Sequence, residues 1–339
     1  MGTNLSTIIV SKEITLSDLS GKPLAVDAYN LLYQFITTIR QPDGTPLMDS
    51  KGNITSHLSG LFFRVTKLMN SNIKLAFVFD GKPPELKKEE IERRKEVKQD
   101  AQRKYEKAVE EEDIELMRKY SARTARLTQE MIDESKELVA ALGLPVIQAP
   151  SEGEAQASYM AKKGDVYGIV SQDTDGMLFG SPIIIKNLSI TGRRKIREAY
   201  HKVLPEQISL SDNLNELGLD QEQLIIVAML CGTDFNVGGV KGIGPKKALA
   251  LVKKHKKDFN KVFEEAKWSE FFEYPWKKVF STIKNIPTTD EYSLKWGAVD
   301  REKIYEILVE RHEFLKERID SSISGVSKKQ AQKGLSDFF

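Results

Sequence analysis

The sequence has few of the residues that bind soft metals or form covalent cross-links. Cys231 is the single cysteine among 339 residues, which excludes a disulfide framework within the chain and a cysteine-based zinc finger. The four histidines, His57, His201, His255 and His312, show no metal-ligand spacing. Any metal is therefore expected to have oxygen ligands, which favours magnesium, manganese or calcium.

Long apolar runs and phosphate-binding glycine strings are also missing. No apolar run approaches the roughly 18 residues of a membrane span, and no basic region followed by an apolar stretch begins the chain. We therefore expect no membrane partner and no secretory signal. Neither a GxGxxG string nor a P-loop string occurs, which disfavours a nucleotide-binding module.

Composition and charge indicate a globular protein with local basic patches. Apolar residues make up 40% and charged residues 29% of the chain, whose length allows one large domain or two intimate ones. The net charge is only +2, but its distribution is uneven. A mixed-charge block spans Lys82 to Arg126, and a cationic run with few acids spans Lys241 to Lys257. Such patches can bind nucleic acid even when the total charge is near neutral.

Three short apolar runs, each typical of a strand, lead directly into acidic residues. The runs and their acids are Pro23–Val26 with Asp27, Lys74–Phe79 with Asp80, and Val166–Ser171 with Asp173 and Asp175. Helical patterns lie between them, at Tyr29–Arg40, His57–Asn70, Thr128–Leu142 and Glu152–Lys163. The alternation predicts an α/β fold, with a central, mostly parallel, twisted sheet and helices on both faces. Ligands of such folds bind beyond the carboxyl ends of the strands, where these acids fall.

The charged block from Glu85 to Arg126 has few large apolar residues, so it cannot form a wide buried stripe. One interpretation is a solvated helical hairpin with salt-linked faces. The other is a mobile helical gate, or arch, above the active face, because helices without an apolar face do not dock firmly. The pattern alone leaves both interpretations open.

A glycine turn is predicted between two helices in the second half of the chain. Gln221–Leu230 is predicted as a helix that Gly232 stops, and Pro245 begins the next helix after the turn at 242–244. Backbone N–H groups of such a hairpin can bind a phosphate of duplex DNA. The flanking cations are Lys241, Lys246 and Lys247. The alternative is a plain connection between helices.

Seven acids lie at predicted ends of strands or helices, where side chains can converge. They are Asp27, Asp80, Glu152, Glu154, Asp173, Asp175 and Asp234. Taken singly, each fits a helix cap or a surface group. Together they would repel one another unless cations neutralise them. Two magnesium ions about 4 Å apart would do so, and such a pair supports phosphodiester hydrolysis.

The spacing within two pairs of acids makes different demands. Asp173 and Asp175 are two residues apart on a predicted loop, and an extended chain would point both the same way. Glu152 and Glu154 follow Ser151, a good helix-capping residue. Two residues apart on a regular helix they would diverge. We therefore expect an irregular first turn, or two different paths to the sheet.

Lys87 and Arg94 are two cations near the predicted acidic rim. They lie seven residues, or two helical turns, apart and therefore share a face of a helix. That face begins just after the segment 80–84, so these cations could hold a scissile phosphodiester. The alternative is a pair of ordinary surface charges.

The order and spacing of several strings resemble the successive signatures of the flap endonucleases, which are structure-specific 5′ nucleases. The strings are Val26–Ala28, Phe79–Pro84, Ala149–Ala155, Ser171–Asp175, Gly232–Asp234 and Gly242–Lys246. The agreement extends over roughly residues 20 to 339. The chain departs from the family pattern at Thr3-Asn4 and by one additional residue between Asp234 and Gly242.

The resemblance implies a role for each of these side chains. Asp27, Asp80, Glu152 and Glu154 would bind one Mg²⁺, and Asp173, Asp175 and Asp234 a second, with Mn²⁺ as a substitute. Lys87 and Arg94 match the family's catalytic gateway cations. Tyr33 matches an aromatic residue that stacks on a base near the cut, and Arg40 and Thr55 match positions near a pocket for a one-nucleotide 3′ flap. Further DNA contacts are implied for Glu152, Gly232, Asp234, Gly242, Gly244, Lys246 and Lys247.

The glycine turn resembles the family's helix-hairpin-helix element, which holds duplex DNA and often a potassium ion. The segment from Ser321 is rich in Ser, Gly, Lys and Gln, and we expect it to be disordered until the last residues. Those last residues, Gln332, Leu335, Phe338 and Phe339, resemble a motif that docks on the sliding clamp, proliferating cell nuclear antigen. The chain stops directly after this motif, so it resembles an archaeal member.

The resemblance also implies a division of the chain. The regions are an N-terminal nuclease region (1–99), the rest of the arch (100–127), an internal nuclease region (116–258) with the helix-hairpin-helix element at about 225–256, a C-terminal helical part (259–325) and a flexible tail (326–339) with the clamp motif at 332–339.

The expected function is magnesium-dependent hydrolysis of one phosphodiester near the base of a 5′ flap, with 5′-3′ exonuclease activity. The expected role is Okazaki-fragment maturation and long-patch base excision repair. We expect a monomer in the cytoplasm, at the archaeal nucleoid, or in the nucleus if the source is eukaryotic. Two alternatives are a sister 5′ nuclease acting on nicks, gaps or repair bubbles, and a non-catalytic DNA and clamp adaptor that would have lost some carboxylates.

Overall fold

Strands and helices alternate along the computed structural model, which describes residues 5–189, 194–196, 199–201 and 203–336. The strands are β1 (Lys12–Glu13), β2 (Pro23–Asp27), β3 (Lys74–Phe79), β4 (Val146–Gln148), β5 (Gly168–Val170), β6 (Ile183–Lys186), β7 (Arg194–Ile196), β8 (Ala199–His201) and β9 (Glu206–Ser209). The helices are α1 (Ala28–Thr38), α2 (Ser56–Asn70), α3 (Lys88–Glu110), α4 (Ile114–Ser121), α5 (Gln129–Ala141), α6 (Gly153–Lys163), α7 (Leu210–Leu217), α8 (Gln221–Cys231), α9 (Pro245–His255), α10 (Phe259–Glu265), α11 (Trp276–Lys284), α12 (Arg301–Tyr305) and α13 (Lys316–Ser336). Within these ranges, every helix is too short or too polar to cross a membrane.

The main sheet contains seven strands in the order β1-β9-β6-β5-β2-β3-β4. Strands β6, β5, β2, β3 and β4 run parallel, whereas β9 pairs antiparallel with both β6 and β1. Strands β7 and β8 form a separate antiparallel hairpin. The predicted α/β fold with a mostly parallel central sheet is confirmed.

Both faces of the sheet are covered by helices, because alternate residues of each strand point to opposite sides. On one side, Leu24 and Val26 of β2 belong to a buried apolar cluster that includes residues of α1, α2, α5 and α13. On the other side, Ala25 belongs to a second cluster with residues of α6 and α8. The parallel strands are thus buried on both faces and present their ends, rather than a face, to a ligand.

The charged block folds as a helical hairpin, formed by α3 and α4, which pack against each other. Ala101 and Ala108 are buried on α3, and Ile91 and Val97 on the same helix are 42% and 50% exposed. Ser121, at the end of α4, donates a hydrogen bond from its hydroxyl group to the Gly44 carbonyl at 2.8 Å. Small buried residues thus replace the apolar stripe that the sequence does not provide.

The C-terminal helix α13 corrects the expectation of disorder from Ser321. The side chains of Ile319, Ile323 and Val326 are buried, and α13 packs against α2. Because these residues are four and three positions apart, they form one apolar stripe along the helix. The composition of the segment gives no sign of this stripe. The side chains of Gln332 and Leu335, and the whole of Phe338 and Phe339, lie outside the described residues, so the clamp motif stays a prediction.

Candidate active site

A cavity of about 530 Å³ opens beyond the carboxyl ends of the central parallel strands. Its lining includes all seven acids that the sequence singled out, namely Asp27, Asp80, Glu152, Glu154, Asp173, Asp175 and Asp234. Lys87, Arg94 and Tyr33 line the same cavity. The predicted convergence of these side chains is confirmed, whereas the chemical role of each one stays a prediction.

Asp27 is the last residue of β2 and caps helix α1. Its carboxylate accepts a hydrogen bond from the Asn30 backbone N–H at 3.0 Å. The Asn30 side chain donates in turn to Asp173 Oδ2 at 2.9 Å, and its Oδ1 accepts from the Gln172 N–H at 3.3 Å. The sequence reasoning missed Asn30, although its distance of three residues from Asp27 places it one helical turn away on the same side.

Asp80 follows β3 and lies against the N-terminus of α6. Its Oδ1 accepts a hydrogen bond from the Gly153 N–H at 2.6 Å, and Gly153 is the first residue of α6. The helix N-terminus favours a negative charge at this position. A Cβ on residue 153 would lie 2.7 Å from Asp80 Oδ1, so only glycine allows this approach without a shift.

Glu152 and Glu154 reach the cavity by different paths, as one of the two expectations stated. Glu152 has extended backbone angles immediately before α6, and Glu154 lies in its first turn. Glu154 Oε1 accepts a hydrogen bond from the Gly176 N–H at 2.9 Å. The expectation that Ser151 caps the helix is wrong, because Glu152 holds the cap position and the Ser151 hydroxyl donates to the Lys82 carbonyl.

Asp173 and Asp175 do not lie on an extended chain, so that expectation is also wrong. The chain bends after β5, and Asp175 begins a 3₁₀ turn that ends at Met177. Both acids nevertheless line the cavity, because the 3₁₀ turn brings the Asp175 carboxylate back towards the end of β5. The same turn presents the N–H that Glu154 accepts, which joins the two groups of acids.

Asp234 enters the cavity from the loop between α8 and α9. Two glycines with positive φ, Gly232 (102°) and Gly239 (62°), allow the backbone before Asp234 and the backbone after it to approach closely. A Cβ on residue 239 would lie 2.4 Å from the Cys231 carbonyl carbon. The segment that departs from the family pattern, including Gly238-Gly239, thus makes a close backbone contact with Cys231 and Gly232, which precede Asp234.

Burial and mutual repulsion raise the pKa of several of these carboxyl groups. Burial and the Asp80 charge raise the pKa of Asp27 to about 8. Burial also raises the pKa of Asp80 and of Glu152. Burial and the charge of Asp175 raise the pKa of Glu154 well above its usual range. When ionised, the carboxylates of the cavity therefore carry more negative charge than the cations that line it can balance.

Lys87 and Arg94 bind the acids from the side of the charged hairpin. Lys87 pairs with Glu152, and its Nζ lies 3.5 Å from Asp234 Oδ2. Arg94 Nη2 donates to the same Asp234 oxygen at 2.8 Å. Although burial opposes it, the charges of Glu152 and Asp234 raise the pKa of Lys87. The alternative of two ordinary surface charges is wrong, since both cations meet at one acid whose side chain is only 13% exposed.

Two further side chains of α3 support this arrangement, and the sequence reasoning missed both. Glu90 accepts hydrogen bonds from Arg93 and from Arg94, and its side chain is only 4% exposed. Lys98 donates to the Tyr33 hydroxyl at 2.9 Å, with its Nζ 4.7 Å from the centre of the Tyr33 ring. In a block so rich in charge, no local signal separates these residues from their exposed neighbours.

The donor set of the cavity fits hard divalent cations. Carboxylate oxygens are the ligands that Mg²⁺ and Mn²⁺ prefer. The raised pKa values of Asp27 and Glu154 reflect burial and repulsion, which bound cations would offset. Among the described residues, no group of three or more His, Cys, Asp or Glu side chains has the geometry of a closed metal site. Instead, Lys87 and Arg94 hold Glu152 and Asp234 in ion pairs.

Arg40 and Thr55 lie at the two ends of one loop and do not line the cavity. Arg40 donates to the Gly44 carbonyl at 2.8 Å, and the Thr55 N–H donates to the Leu47 carbonyl at 2.8 Å. His312 fixes the same loop to the body, with Nδ1 3.0 Å from Asp49 Oδ2 and Nε2 2.9 Å from Glu134 Oε1. The sequence reasoning did not identify this link.

The predicted helix-hairpin-helix element consists of α8 and α9, which pack against each other. Pro245 is the first residue of α9, as the sequence predicted. Gly242 has a φ of 83° and open space around it, since an added Cβ would meet no atom within 4 Å. The exposed residues of the turn and the start of α9 are Lys241, Gly242, Gly244, Lys246 and Lys247.

Comparison with known proteins gives matches along most of the chain. The XPG N-terminal domain matches residues 4–101, and the XPG I-region matches residues 143–234. The chain is 50% identical to the flap endonuclease 1 of Hyperthermus butylicus over 333 residues, which is 97% of this chain and 95% of that protein. The solved flap endonuclease-1 from Methanococcus jannaschii superposes with a TM-score of 0.77 at 39% identity, over 98% of this chain and 100% of the other.

A solved catalytic core of Rad2 in complex with DNA substrate is more distant. It superposes with a TM-score of 0.70 at 25% identity, over 96% of this chain and 100% of the other. The matched regions define the class as the nucleases of the XPG/RAD2 superfamily. Within that class, the chain belongs to the flap endonucleases, of the archaeal type.

Proposed function

We propose that this chain is a structure-specific 5′ flap endonuclease that hydrolyses one phosphodiester near the base of a 5′ flap and also acts as a 5′-3′ exonuclease. The observation that carries the proposal is the cavity, where seven carboxylates meet Lys87 and Arg94 in a chain of the flap endonuclease family. The corresponding roles are Okazaki-fragment maturation and long-patch base excision repair.

The carboxylates would hold two divalent cations, Mg²⁺ or Mn²⁺ in its place. Asp27, Asp80, Glu152 and Glu154 are proposed for one cation, and Asp173, Asp175 and Asp234 for the other. Bound there, the cations would lower the pKa of the attacking water and stabilise charge on the scissile phosphate. The partly buried hydrogen bonds that Asp27, Asp80 and Glu154 accept from backbone N–H groups keep these three side chains in place for that purpose.

Lys87 and Arg94 are proposed to bind the scissile phosphodiester. Both reach the cavity from the charged hairpin and pair with acids there, so neutralisation of those acids would release the two cations towards a phosphate. A fixed cation beside the phosphate stabilises the charge that develops in the transition state. The side chains of Lys87 and Arg94 are 15% and 37% exposed, so both remain accessible from the cavity mouth.

The remaining predicted DNA contacts lie on surfaces around the cavity. Tyr33 lines it and could stack on a base beside the cut. The exposed glycine turn and lysines of the hairpin between α8 and α9 suit the backbone of duplex DNA, with K⁺ proposed at the turn. Arg40 and Thr55 are proposed to border the pocket for the 3′ flap, and the tail motif 332–339 to bind the sliding clamp.

Cleavage of a defined substrate panel tests the proposal. The wild-type protein is incubated with 5′-labelled double-flap, nicked, gapped and bubble DNA in Mg²⁺, with EDTA as the control. The expected result is one cut near the flap base that EDTA abolishes. Cutting restricted to nicks, gaps or bubbles would assign the chain to a sister nuclease activity, and flap binding without any cut would contradict catalysis.

A further inference from the structure

Glu90 is a buried acid within a helix whose other acids face solvent. Its side chain is 4% exposed, although α3 is otherwise among the most charged segments of the chain. Two other ion pairs of the charged hairpin, Lys104 with Asp100 and Lys107 with Glu111, join side chains that are more than half exposed. A buried carboxylate requires partners to offset its lost hydration, so the position of Glu90 is not that of a routine surface pair.

The partners of Glu90 are two consecutive arginines. Its Oε2 accepts from Arg93 Nε at 2.7 Å, and its Oε1 accepts from Arg93 Nη2 at 2.8 Å and from Arg94 Nε at 2.5 Å. Arg94 lines the catalytic cavity, whereas Arg93 does not. Hydrogen bonds from both arginines lower the pKa of Glu90 against the effect of burial, so the group is an anion at neutral pH.

The contact with Arg94 fixes the direction of its guanidinium group. Glu90 accepts the hydrogen bond of the Arg94 Nε–H. The terminal Nη2 of Arg94 is then left to donate to Asp234 at 2.8 Å, across 140 residues of sequence. Arginine donors form a planar fork, so holding one edge of the plane determines where the other edge points. Without this contact, the long Arg94 side chain would adopt many rotamers, and its guanidinium group would have no fixed direction.

We propose that Glu90 is a positioning residue, which holds the Arg94 guanidinium towards the scissile phosphate through the hydrogen bond to Nε. This inference rests on the proposed phosphodiester hydrolysis and extends it to a residue that lines no part of the cavity. When the acids of the cavity are neutralised, Asp234 releases Nη2, and Glu90 continues to hold the same guanidinium in place. Glu90 itself contacts no substrate.

A double-mutant cycle tests the proposal by single-turnover cleavage of double-flap DNA. Glu90→Gln keeps the size of the side chain and is expected to slow cleavage by roughly 10- to 100-fold, since small misplacement of a catalytic group has effects of this order. The matched control is Glu92→Gln, which removes an exposed acid from the same helix two residues away. The control is expected to cut at the wild-type rate, and equal losses in both variants would overturn the proposal.

The same substitution in the Arg94→Ala background separates positioning from a general structural role. If Glu90 acts through Arg94, Glu90→Gln slows the Arg94→Ala variant less than about twofold. An undiminished loss in that background would show that Glu90 serves the fold of α3 instead, and would overturn the proposal. DNA affinity measured with Ca²⁺ in place of Mg²⁺ is expected to change less than about threefold.

A readout without cleavage separates failure of this inference from failure of the proposed function. The NMR signal of the Arg94 Nε–H is assigned from its loss in Arg94→Lys. This proton is expected to exchange slowly with solvent in the wild-type protein and in Glu92→Gln. In Glu90→Gln it is expected to exchange rapidly. Equal exchange in all three would overturn the positioning role even if the wild-type protein cuts flaps. A wild-type protein that does not cut would contradict the proposed function alone.

Discussion

Buried charge governs the behaviour of single residues in the cavity. Asp27, Asp80, Glu152 and Glu154 have raised pKa values, and Lys87 and Arg94 offset only part of their charge. Such a cluster lowers the free energy of unfolding until cations bind to it. The side chains that the proposed activity requires are therefore a source of instability in the metal-free protein.

Asp27→Asn is expected to stabilise the metal-free protein. Asparagine removes the charge and still caps α1, because both residue types are good caps. In EDTA, we expect the thermal midpoint to rise by roughly 2–4 °C, as measured by calorimetry. Added Mg²⁺ should reduce this difference, because it stabilises the wild-type protein and binds the variant less tightly.

The pH dependence of this difference follows from the pKa of Asp27, which rises from 3.8 to about 8 on folding. The neutral carboxyl group stabilises the folded state below about pH 4, and that stabilisation is lost as the pH rises through about 8. The advantage of the variant must therefore widen from about pH 4 to about pH 8 and stay constant above that. A variant that is less stable than the wild-type protein throughout this range would contradict the argument from buried charge.

Lys87→Ala is expected to slow cleavage strongly while leaving DNA affinity nearly unchanged. Its ammonium group lines the cavity, where it is proposed to bind the scissile phosphate rather than the length of the duplex. We expect the single-turnover rate to fall by roughly 100-fold or more, with affinity within about threefold in Ca²⁺. Lys88→Ala is the matched control, because its side chain is 72% exposed and lies outside the cavity. Equal rates for the two variants would remove Lys87 from the catalytic group.

Among the elements, the loop between α8 and α9 shows how a backbone contact positions a side chain. Gly239→Ala would place a Cβ 2.4 Å from the Cys231 carbonyl carbon, so the loop that carries Asp234 must shift. We expect a loss of roughly 2–4 kcal/mol in the free energy of unfolding, measured by denaturant titration, together with slower cleavage.

Gly238→Ala provides the control for that loop. Residue 238 also has a positive φ, but a Cβ there meets no atom within 4 Å. Only the backbone strain remains, which is about 1–2 kcal/mol. If the two alanine variants lose the same stability, the close contact between Gly239 and Cys231 does not determine the position of Asp234.

Local patterns in the sequence predicted the elements that carry the site. Strand β3 has the predicted bounds, Lys74–Phe79, because a short apolar run ended by an acid is a strong strand signal. The convergence of the acids followed from a general rule, since neighbouring parallel strands end at the same edge of a sheet. Pro245 likewise marked the start of α9.

Contacts between distant parts of the chain could not be predicted in this way. Asn30 meets Asp173 across 143 residues, and Arg94 meets Asp234 across 140. The incorrect expectation of a Ser151 cap has a similar origin, since the tertiary contact of Gly153 with Asp80 fixes where α6 begins. Composition also failed for the segment after Ser321, where Ile323 and Val326 continue the buried stripe of α13 that Ile319 begins.

For the whole molecule, the sequence motif at the end of the chain predicts regulation by a partner. Deletion of residues 332–339 is expected to leave basal flap cutting unchanged and to abolish stimulation by the sliding clamp, because the deleted residues follow the buried side chains Ile319, Ile323 and Val326 that pack α13 on the body. The measurement is the cleavage rate with and without clamp. Undiminished stimulation of the truncated protein would place the clamp contact elsewhere on the chain.

The cavity, the charged hairpin and the helix-hairpin-helix element are separate parts of the molecule, and a different function is proposed for each. The carboxylates are proposed for metal binding, Lys87 and Arg94 for the scissile phosphate, and the lysines near Gly242 for the duplex. Loss of a carboxylate should therefore abolish chemistry without abolishing binding. This separation distinguishes a metal-dependent nuclease from a DNA-binding adaptor.

The most direct measurement is single-turnover cleavage of a 5′-labelled double-flap DNA by the wild-type protein and by Asp173→Ala in Mg²⁺, with DNA affinity measured in parallel. We predict one cut near the flap base by the wild-type protein. For Asp173→Ala we predict a rate at least about 100-fold lower and an affinity within about threefold of the wild-type value. An unchanged rate in Asp173→Ala would contradict the assignment of this cavity as the metal-dependent active site.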